Sequence, residues 1–478
     1  MDINHYHIFK DEDKYFIFDT YYMILVEVSK EQLYVFKNYQ KDDIILSNEL
    51  GVEIDTIQDS RDLIELSKEK GLFISEIMDE DHEITDDIGF ISITPVHKCN
   101  LRCSYCFAEC GENYTYEKKY LDTDKLNAAL DMLYSKIFKN AHKIRIDFVG
   151  GGEPFLNINI IESVLDITNR LDKSKNKNTS IWICTNGTIM SERILKCIDN
   201  PKVNLGISLD GDREQHNKIR RDRYNKGTYD TIIKNLEYIK NNSKHGNLRN
   251  IWALSVVNSK TESLVNILKN HKKLGFDNVQ MKLVRLKKDH ILSINEDNIN
   301  HVIGLYDDLV EYLIRELEND RYDYLKMILN NNDYLGKIIN KLVMQRRVYR
   351  RCMAGKIKVS LTANGDIYPC DPMVGNNEFK LFNIADNIEK IPCSEIGELT
   401  TDIRKNCNKC WAKYICGGDC PHNAYLVNGN IFTPDPCFCK IQKHLIYLSL
   451  KILYTISLNE KIAKELTEYI RIRERLSL

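Results

Sequence analysis

The sequence lacks a long hydrophobic run. A membrane-spanning helix needs about 20 consecutive apolar residues, and the nearest approach, Leu445 to Leu458, is broken by Lys451. Strong charge of either sign is also missing. The formal net charge is −2, so bulk electrostatics recruits neither nucleic acid nor an anionic membrane. The opening Met1-Asp-Ile-Asn-His has neither the basic nor the apolar segment of a secretory signal, and the expectation is a cytoplasmic protein. With 478 residues, 43% hydrophobic and 28% charged, the composition is that of a soluble globular chain, long enough for about two to four domains.

Cysteine, by contrast, is plentiful: there are 15. In a reducing compartment, tight Cys spacings favour metal ligation over disulfides. Cys99-Asn-Leu-Arg-Cys103-Ser-Tyr-Cys106-Phe107 follows a strand-like run and presents three thiols as C-x3-C-x2-C. A zinc site is one reading of such a loop. A cubane [4Fe–4S] cluster is the other; it normally takes four Cys, so three thiols leave one iron open to a small molecule. The spacing, with an aromatic after it, resembles the cluster-binding signature of the radical S-adenosylmethionine (SAM) superfamily.

From Gly89 strands and helices alternate. Strand-like runs are Ile91 to Val96, Lys143 to Val149, Ser180 to Cys184, Val203 to Leu209, Ile251 to Val257 and Val279 to Leu286. Helix-like segments fall between them at Asp122 to Phe138, Ile158 to Leu171, Thr228 to Ile239 and Thr261 to Lys272. The alternation predicts a parallel sheet with right-handed crossovers, and it resembles the partial (β/α)6 radical SAM barrel. Active sites of such α/β folds lie at the carboxyl ends of strands, where the polar and glycine-rich motifs fall. Gly151-Gly152-Glu153-Pro154 resembles the family's GGEP motif, which implies contacts of Gly151, Gly152 and Glu153 with the SAM amino group. The resemblance likewise places Asn186, Ser208, Asp210 and Arg220 around the ribose and carboxylate of SAM. For Arg220 the neighbouring Arg221 is an alternative, and for Asp210 a simple Asp-Gly turn.

Residues 1–82 combine β-prone runs at His7 to Phe9, Tyr15 to Asp19 and Met23 to Val28 with helix-like spacing at Lys30 to Tyr39 and Asp59 to Lys70. They resemble a winged-helix-like peptide-recognition domain that captures a leader peptide by β-augmentation; an inert extension is the plain alternative. Acidic Asp79 to Asp87 reads as a linker. The barrel is expected over residues 83–290 and a siteless helical bridge over 291–345.

A second cysteine group follows Arg351: Cys352, Gly365-x4-Cys370, the run Cys407-x2-Cys410-x5-Cys416-x3-Cys420, then Cys437 and Cys439. By chance the four-Cys run is expected about 0.0004 times in a chain of this composition. The order resembles the SPASM domain, expected over 346–440, with two auxiliary [4Fe–4S] clusters. The resemblance assigns Cys352, Cys370 and Cys420 to one cluster, and Cys407, Cys410, Cys416 and Cys437 to the other. A strand would put Cys439 on the same face as Cys437, so either can be the last ligand. The first auxiliary cluster has no obvious fourth ligand; Cys393 matches nothing in the motif. Cys110, Cys184 and Cys197 read as small buried hydrophobes. A C-terminal helix over 441–478 packs on the domain.

Taken together, the resemblance implies a radical SAM enzyme with three [4Fe–4S] clusters, SAM as co-substrate and a flavodoxin or ferredoxin as electron donor. A 5′-deoxyadenosyl radical would abstract hydrogen from a ribosomally made, Cys-containing precursor peptide, and the leading expectation is a Cys sulfur-to-carbon thioether crosslink. Formylglycine formation as in anaerobic sulfatase maturases, and peptide carbon–carbon crosslinking or epimerisation, are the alternatives within the class; a non-catalytic zinc or cluster scaffold is the one outside it. An acidic catalytic base, which a sulfatase maturase needs, is not evident in the sequence.

Overall fold

The structure is a computed structural model that describes residues 6–69, 87–108, 120–243, 251–386 and 388–477. The linker at 79–86, the 82/83 boundary and Cys110 lie outside the described residues.

Three antiparallel strands begin the chain: β1 (Tyr6–Asp11), β2 (Lys14–Asp19) and β3 (Ile24–Val28), in the order β1-β2-β3. Asp19 Oδ1 accepts the backbone N–H groups of Tyr21 and Tyr22, both at 2.9 Å, which folds the β2–β3 connection. Three helices follow, α1 (Lys30–Lys37), α2 (Asp43–Leu50) and α3 (Ile54–Glu69). Ser29 and Gln32 cap α1 reciprocally. Asp42 caps the start of α2, and Gly51 at φ 68° ends it, a helix absent from the sequence reading. Alternation along β2 splits the sheet between two cores. Ile17 packs with Leu33, Val35, Phe36, Leu46, Ile57 and Ile64, while Phe18 joins the core of the main body.

The six expected strands are present and parallel: β4 (Ile88–Ile93), β5 (Lys143–Phe148), β6 (Asn178–Thr185), β7 (Val203–Ser208), β8 (Ile251–Val257) and β9 (Asn278–Leu283). Their crossovers hold α4 (Thr123–Met132), α5 (Ile158–Lys175), α6 (Glu192–Ile198), α7 (Arg213–Ile219), α8 (Tyr229–Asn242) and α9 (Leu264–Lys273). After α4 the chain continues as one π-helical turn, Leu133–Ile137. The sheet does not stop at β4. Past α10 (Ile299–Glu318), α11 (Asp323–Ile328) and α12 (Tyr334–Val343), β10 (Lys358–Leu361) pairs parallel to β4, and β11 (Asp366–Tyr368) and β12 (Phe382–Asn383) extend it antiparallel. Barrel and cysteine-rich region therefore share one nine-stranded sheet, β12-β11-β10-β4-β5-β6-β7-β8-β9.

Short helices α13 (Glu395–Glu398) and α14 (Lys413–Cys416) lead to α15 (Pro421–Asn428), α16 (Pro436–Ser457) and α17 (Glu460–Ser477). Here two expectations fail. The tail is two helices rather than one, and the first starts before 441. Cys437 and Cys439 sit on α16 rather than on a strand, and at about 100° per residue two positions along a helix point to different faces. Among the described residues no helix is long and apolar enough to cross a membrane.

Candidate active site

The loop after β4 is strapped down by backbone and side chains together, Arg223 donating to Cys99 O from Nε at 3.0 Å and Nη2 at 2.6 Å. Arg102 N–H donates to Arg221 O at 2.7 Å and Ser104 N–H to Ile219 O at 3.1 Å, so the loop lies along the segment that leaves α7. This brings Cys99, Cys103 and Cys106 to the carboxyl ends of β4–β7. Donors already point at the sulfurs: Leu101 N–H at 3.4 Å and Asn186 Nδ2 at 3.7 Å from Cys99 Sγ, and Arg220 Nη1 at 3.9 Å from Cys103 Sγ. Burial pushes the Cys99 thiol up to about 12 and raises Cys103 too, although Arg220 opposes the latter. Bare thiolates are thus disfavoured here. Iron would supply the missing positive charge, and the N–H groups suit thiolate sulfur, so the donor set fits an iron–sulfur cluster. Among the described residues no three His, Cys, Asp or Glu side chains converge tightly enough for a single metal ion; a cubane needs a wider ring of sulfurs.

Gly152 shows why the next loop is glycine-rich. A Cβ there would lie 2.2 Å from Val96 O and 2.4 Å from Lys98 O, the backbone that introduces Cys99. Glu153 is 2% exposed and turned inward. Its Oε1 accepts Thr185 Oγ1 at 2.7 Å and Phe155 N–H at 3.2 Å, and its Oε2 accepts Asn186 N–H at 2.8 Å. Burial lifts its carboxyl to about 7 against those donors. Glu153 therefore ties the β5 and β6 ends together through the Asn186 backbone N–H, while the Asn186 side-chain Nδ2, which also donates to Asn100 Oδ1 at 2.8 Å, faces Cys99.

Asp210 and Arg220 form a buried pair, Nε to Oδ2 at 2.8 Å. Asp210 Oδ1 also accepts Val256 N–H at 2.9 Å, and Tyr105, from within the cysteine loop, donates its hydroxyl to Oδ2. Burial alone would raise the Asp210 carboxyl, but the Arg220 charge and the hydrogen bonds from Tyr105 and Val256 N–H outweigh it and hold it below its usual range. His216 is kept neutral, at about 4, mainly by burial. Its Nδ1 accepts Asp210 N–H at 3.3 Å, so Nε2 donates to Thr228 Oγ1 at 3.0 Å, and that hydroxyl donates to Arg220 O at 3.1 Å. Arg221 instead donates to Asn217 O and Asn225 Oδ1 on the outer side. Ser208, half-buried, ends β7 two residues before Asp210.

The second cysteine group separates into two neighbourhoods. Cys370, raised by burial, feels the charges of Cys420 and Cys352. Cys439, also raised by burial, feels Cys416, Asp419, Cys407 and Cys410, whereas Cys437 feels Asp435, Glu296, Lys288 and Lys440. Cys439 rather than Cys437 thus stands with Cys407, Cys410 and Cys416. Cys437 instead lines a cavity of about 260 Å³ with Arg285, Tyr334, Asn423 and Asp435. From the helical bridge, Tyr334 on α12 lines that cavity and takes Arg285 Nη2 at 3.4 Å, and Lys341 Nζ donates to Ile415 O at 2.7 Å. Cys393 is exposed near Glu398, Cys197 is buried on α6, and Cys184 accepts Trp182 Nε1 at 2.9 Å.

One site residue was passed over in the sequence, although it directly follows Cys370. Asp371 is buried, accepts Ser360 Oγ at 2.9 Å, has Lys358 Nζ at 4.0 Å, and lies 3.2 Å from where Gly150 would carry a Cβ. Burial raises its carboxyl. It joins the first auxiliary set to the glycine-rich loop.

Known proteins agree with this geometry. A profile described as "Radical SAM superfamily" matches residues 93–268. The cysteine-type anaerobic sulfatase-maturating enzyme of Clostridium novyi (strain NT) is 28% identical over 366 residues, 72% of this chain and 90% of that protein. Radical SAM cyclopropyl synthase TigE of Paramaledivibacter caminithermalis is 25% identical over 472 residues, 91% and 92% of the two chains. Among solved structures, native anSMEcpe with bound AdoMet has a TM-score of 0.63 at 19% identity, covering 78% of this chain and 99% of that one, a likeness of fold. The three-thiol loop and the glycine-rich turn both fall within residues 93–268, which match the radical SAM profile, and the chain is similar to anaerobic sulfatase-maturating enzymes and to TigE.

Proposed function

We propose that the protein is a peptide maturase that uses SAM to close thioether crosslinks between Cys sulfur and carbon in a ribosomally made, Cys-containing peptide. Cys99, Cys103 and Cys106 hold the SAM-binding cluster, with Gly151, Gly152, Glu153, Asn186, Ser208, Asp210 and Arg220 around SAM. When bound, cluster and SAM together supply a one-electron cleavage that leaves a hydrogen-abstracting carbon radical. The chain's own residues do the rest: Arg220, fixed by Asp210 and the His216–Thr228 relay, offers its guanidinium fork to the SAM carboxylate. Cys352, Cys370 and Cys420 hold one auxiliary cluster, and Cys407, Cys410, Cys416 and Cys439 the other, with a flavodoxin or ferredoxin as electron source. Residues 6–69, with β3 at the edge of their sheet, take the leader.

The observation that carries this reading is Asp371. It directly follows Cys370 of the first proposed auxiliary set, whose three thiols would leave one iron position for a substrate sulfur, and its Cβ lies 3.2 Å from where Gly150 of the glycine-rich loop would carry one. That anSMEcpe has been solved with peptides bound supports a peptide substrate, and TigE, a cyclopropyl synthase aligned over nearly the whole chain, keeps carbon–carbon bond formation as an alternative. Asp371 also favours a second reading. A buried carboxylate beside the SAM loop is the acid–base group that oxidation of a Cys to formylglycine asks for, and anSMEcpe has been solved with the Cp18Cys peptide bound.

One experiment separates these. The anaerobically reconstituted chain is incubated with SAM, a reductant and the Cys-containing peptide encoded beside it. Thioether closure lowers the mass by about 2 Da per crosslink and removes the thiol from alkylation; formylglycine lowers it by about 18 Da. A fall of about 2 Da with the thiol still alkylable indicates a carbon–carbon bond. An unchanged mass overturns the proposal.

A further inference from the structure

Beside the second auxiliary set lie two buried donors that no described acceptor meets. Arg404 and Gln442 are each 2% exposed, and Arg404 Nη1 and Gln442 Nε2 have no hydrogen-bond partner among the described residues. Native proteins seldom bury an N–H unpaired, so each marks a place where an acceptor belongs.

Both are held against the cysteines by independent segments. Cys407 N–H donates to Arg404 O at 3.2 Å, and the guanidinium charge acts on the Cys407 thiol. A Cβ on Gly418 would be 3.3 Å from Arg404 Nη1, and the carbonyl of that same Gly418 accepts the Cys416 thiol at 3.4 Å. Gln442 follows Cys439 by three residues on α16 and so shares its face. Its Oε1 is occupied by Arg351 Nη1 at 3.1 Å, and that nitrogen also reaches Cys416 O at 3.4 Å. The amide orientation is thereby set, which leaves Nε2 as the free end.

We propose that Arg404 and Gln442 donate hydrogen bonds to the sulfurs of the cluster held by Cys407, Cys410, Cys416 and Cys439, and that they raise its reduction potential. This rests on the reading above that this set holds an iron–sulfur cluster. An N–H aimed at cluster sulfur stabilises the more negative, reduced form, and hydrogen bonds to sulfur are one of the protein's levers on potential. The consequence reaches the chemistry. Closing one thioether removes a hydrogen atom, a proton and an electron from the peptide; the cluster with the raised potential accepts the electron and is reduced by one. Arg404 and Gln442 act through the cluster and are positioning residues.

The test is a redox titration, followed by electron paramagnetic resonance, of the full chain with its clusters reconstituted. Gln442→Glu keeps the acceptor for Arg351 and removes the donor; Arg404→Met removes the other. Each variant should keep wild-type iron while the midpoint potential of one cluster falls and the others hold, and Arg404→Lys should recover much of the loss. Full iron with unmoved potentials overturns the proposal, as does an equal shift in every cluster. Loss of iron in Arg404→Lys as well as Arg404→Met shows a purely structural role and overturns it too. Iron analysis of the unmodified protein tests the underlying reading separately: about four irons per chain means the auxiliary clusters are absent, whereas about twelve with unmoved potentials removes only the donor role.

Discussion

The imidazole of His7 lies flat on the indole of Trp411, ring centroids 3.8 Å apart and planes 4° from parallel. His7 belongs to β1 and Trp411 directly follows Cys410, so the N-terminal domain rests on the loop that carries the second auxiliary set. Phe9 meets Tyr447 edge-on at 5.3 Å, and Lys451 Nζ reaches Asp11 at 3.0 Å, which completes the seat on α16.

That seat should loosen in acid. Burial, and after it the charge of Lys443, lowers the His7 pKa. The docked state then binds fewer protons than the undocked one, so docking is firm above about pH 6.5 and weakens as pH falls through and below that value. Trp411 fluorescence reports it: the emission should shift reversibly between about pH 7.5 and pH 5.5. His7→Phe, which keeps a ring but cannot titrate, should abolish the shift. An identical shift in His7→Phe would refute this origin.

Gly152→Ala should disable the first cluster selectively. The added methyl meets Val96 O and Lys98 O, both backbone, at 2.2 and 2.4 Å, so the two loops must part. Overpacking of this kind costs about 1–3 kcal/mol. The expected protein is folded, has lost about four of its irons and has weakened SAM binding, as read by iron analysis and calorimetry. Full iron with unchanged SAM affinity would contradict the placement of this loop.

The Asp210–Arg220 pair yields two distinct phenotypes. Asp210→Asn leaves the guanidinium buried without a counter-charge and should cost about 3–5 kcal/mol of stability, seen as a lower Tm. Arg220→Lys keeps the charge but loses the fork, so its main effect should be a SAM Kd raised about tenfold, equivalent to about 1.4 kcal/mol. Equal SAM affinity in Arg220→Lys and the parent would remove Arg220 from the carboxylate site.

Local signals account for what the sequence revealed. The six parallel strands are runs of Val and Ile that end at Gly or polar residues, and the three-thiol loop is a spacing within one segment. Pairing of β10 with β4 was not legible, because the partners lie some 270 residues apart and nothing in either run names the other. Glu153 shows a different limit: its motif was visible, but whether its carboxylate faces SAM or ties β5 to β6 depends on Thr185 and Asn186. The start of α16 is the instructive miss. Asp435 caps it and Pro436 occupies its first turn, a helix-start signal that overrides a strand at Cys437 to Cys439.

That helix bears on which cysteine is the last ligand in the proposed second auxiliary cluster. Asp435 Oδ1 accepts Cys437 N–H at 2.9 Å and Cys439 N–H donates to Asp435 O at 3.0 Å, so both cysteines occupy the first turn on different faces. Cys439 is turned to Cys407, Cys410 and Cys416, and Cys437 to the cavity with Arg285. Cys439→Ala should therefore cost about four irons per chain and the signal of one auxiliary cluster, while Cys437→Ala keeps about twelve. Cys437→Ala should instead enlarge the cavity and leave cluster content intact. Iron loss in Cys437→Ala but not in Cys439→Ala would reverse the assignment and return Cys437 to the cluster.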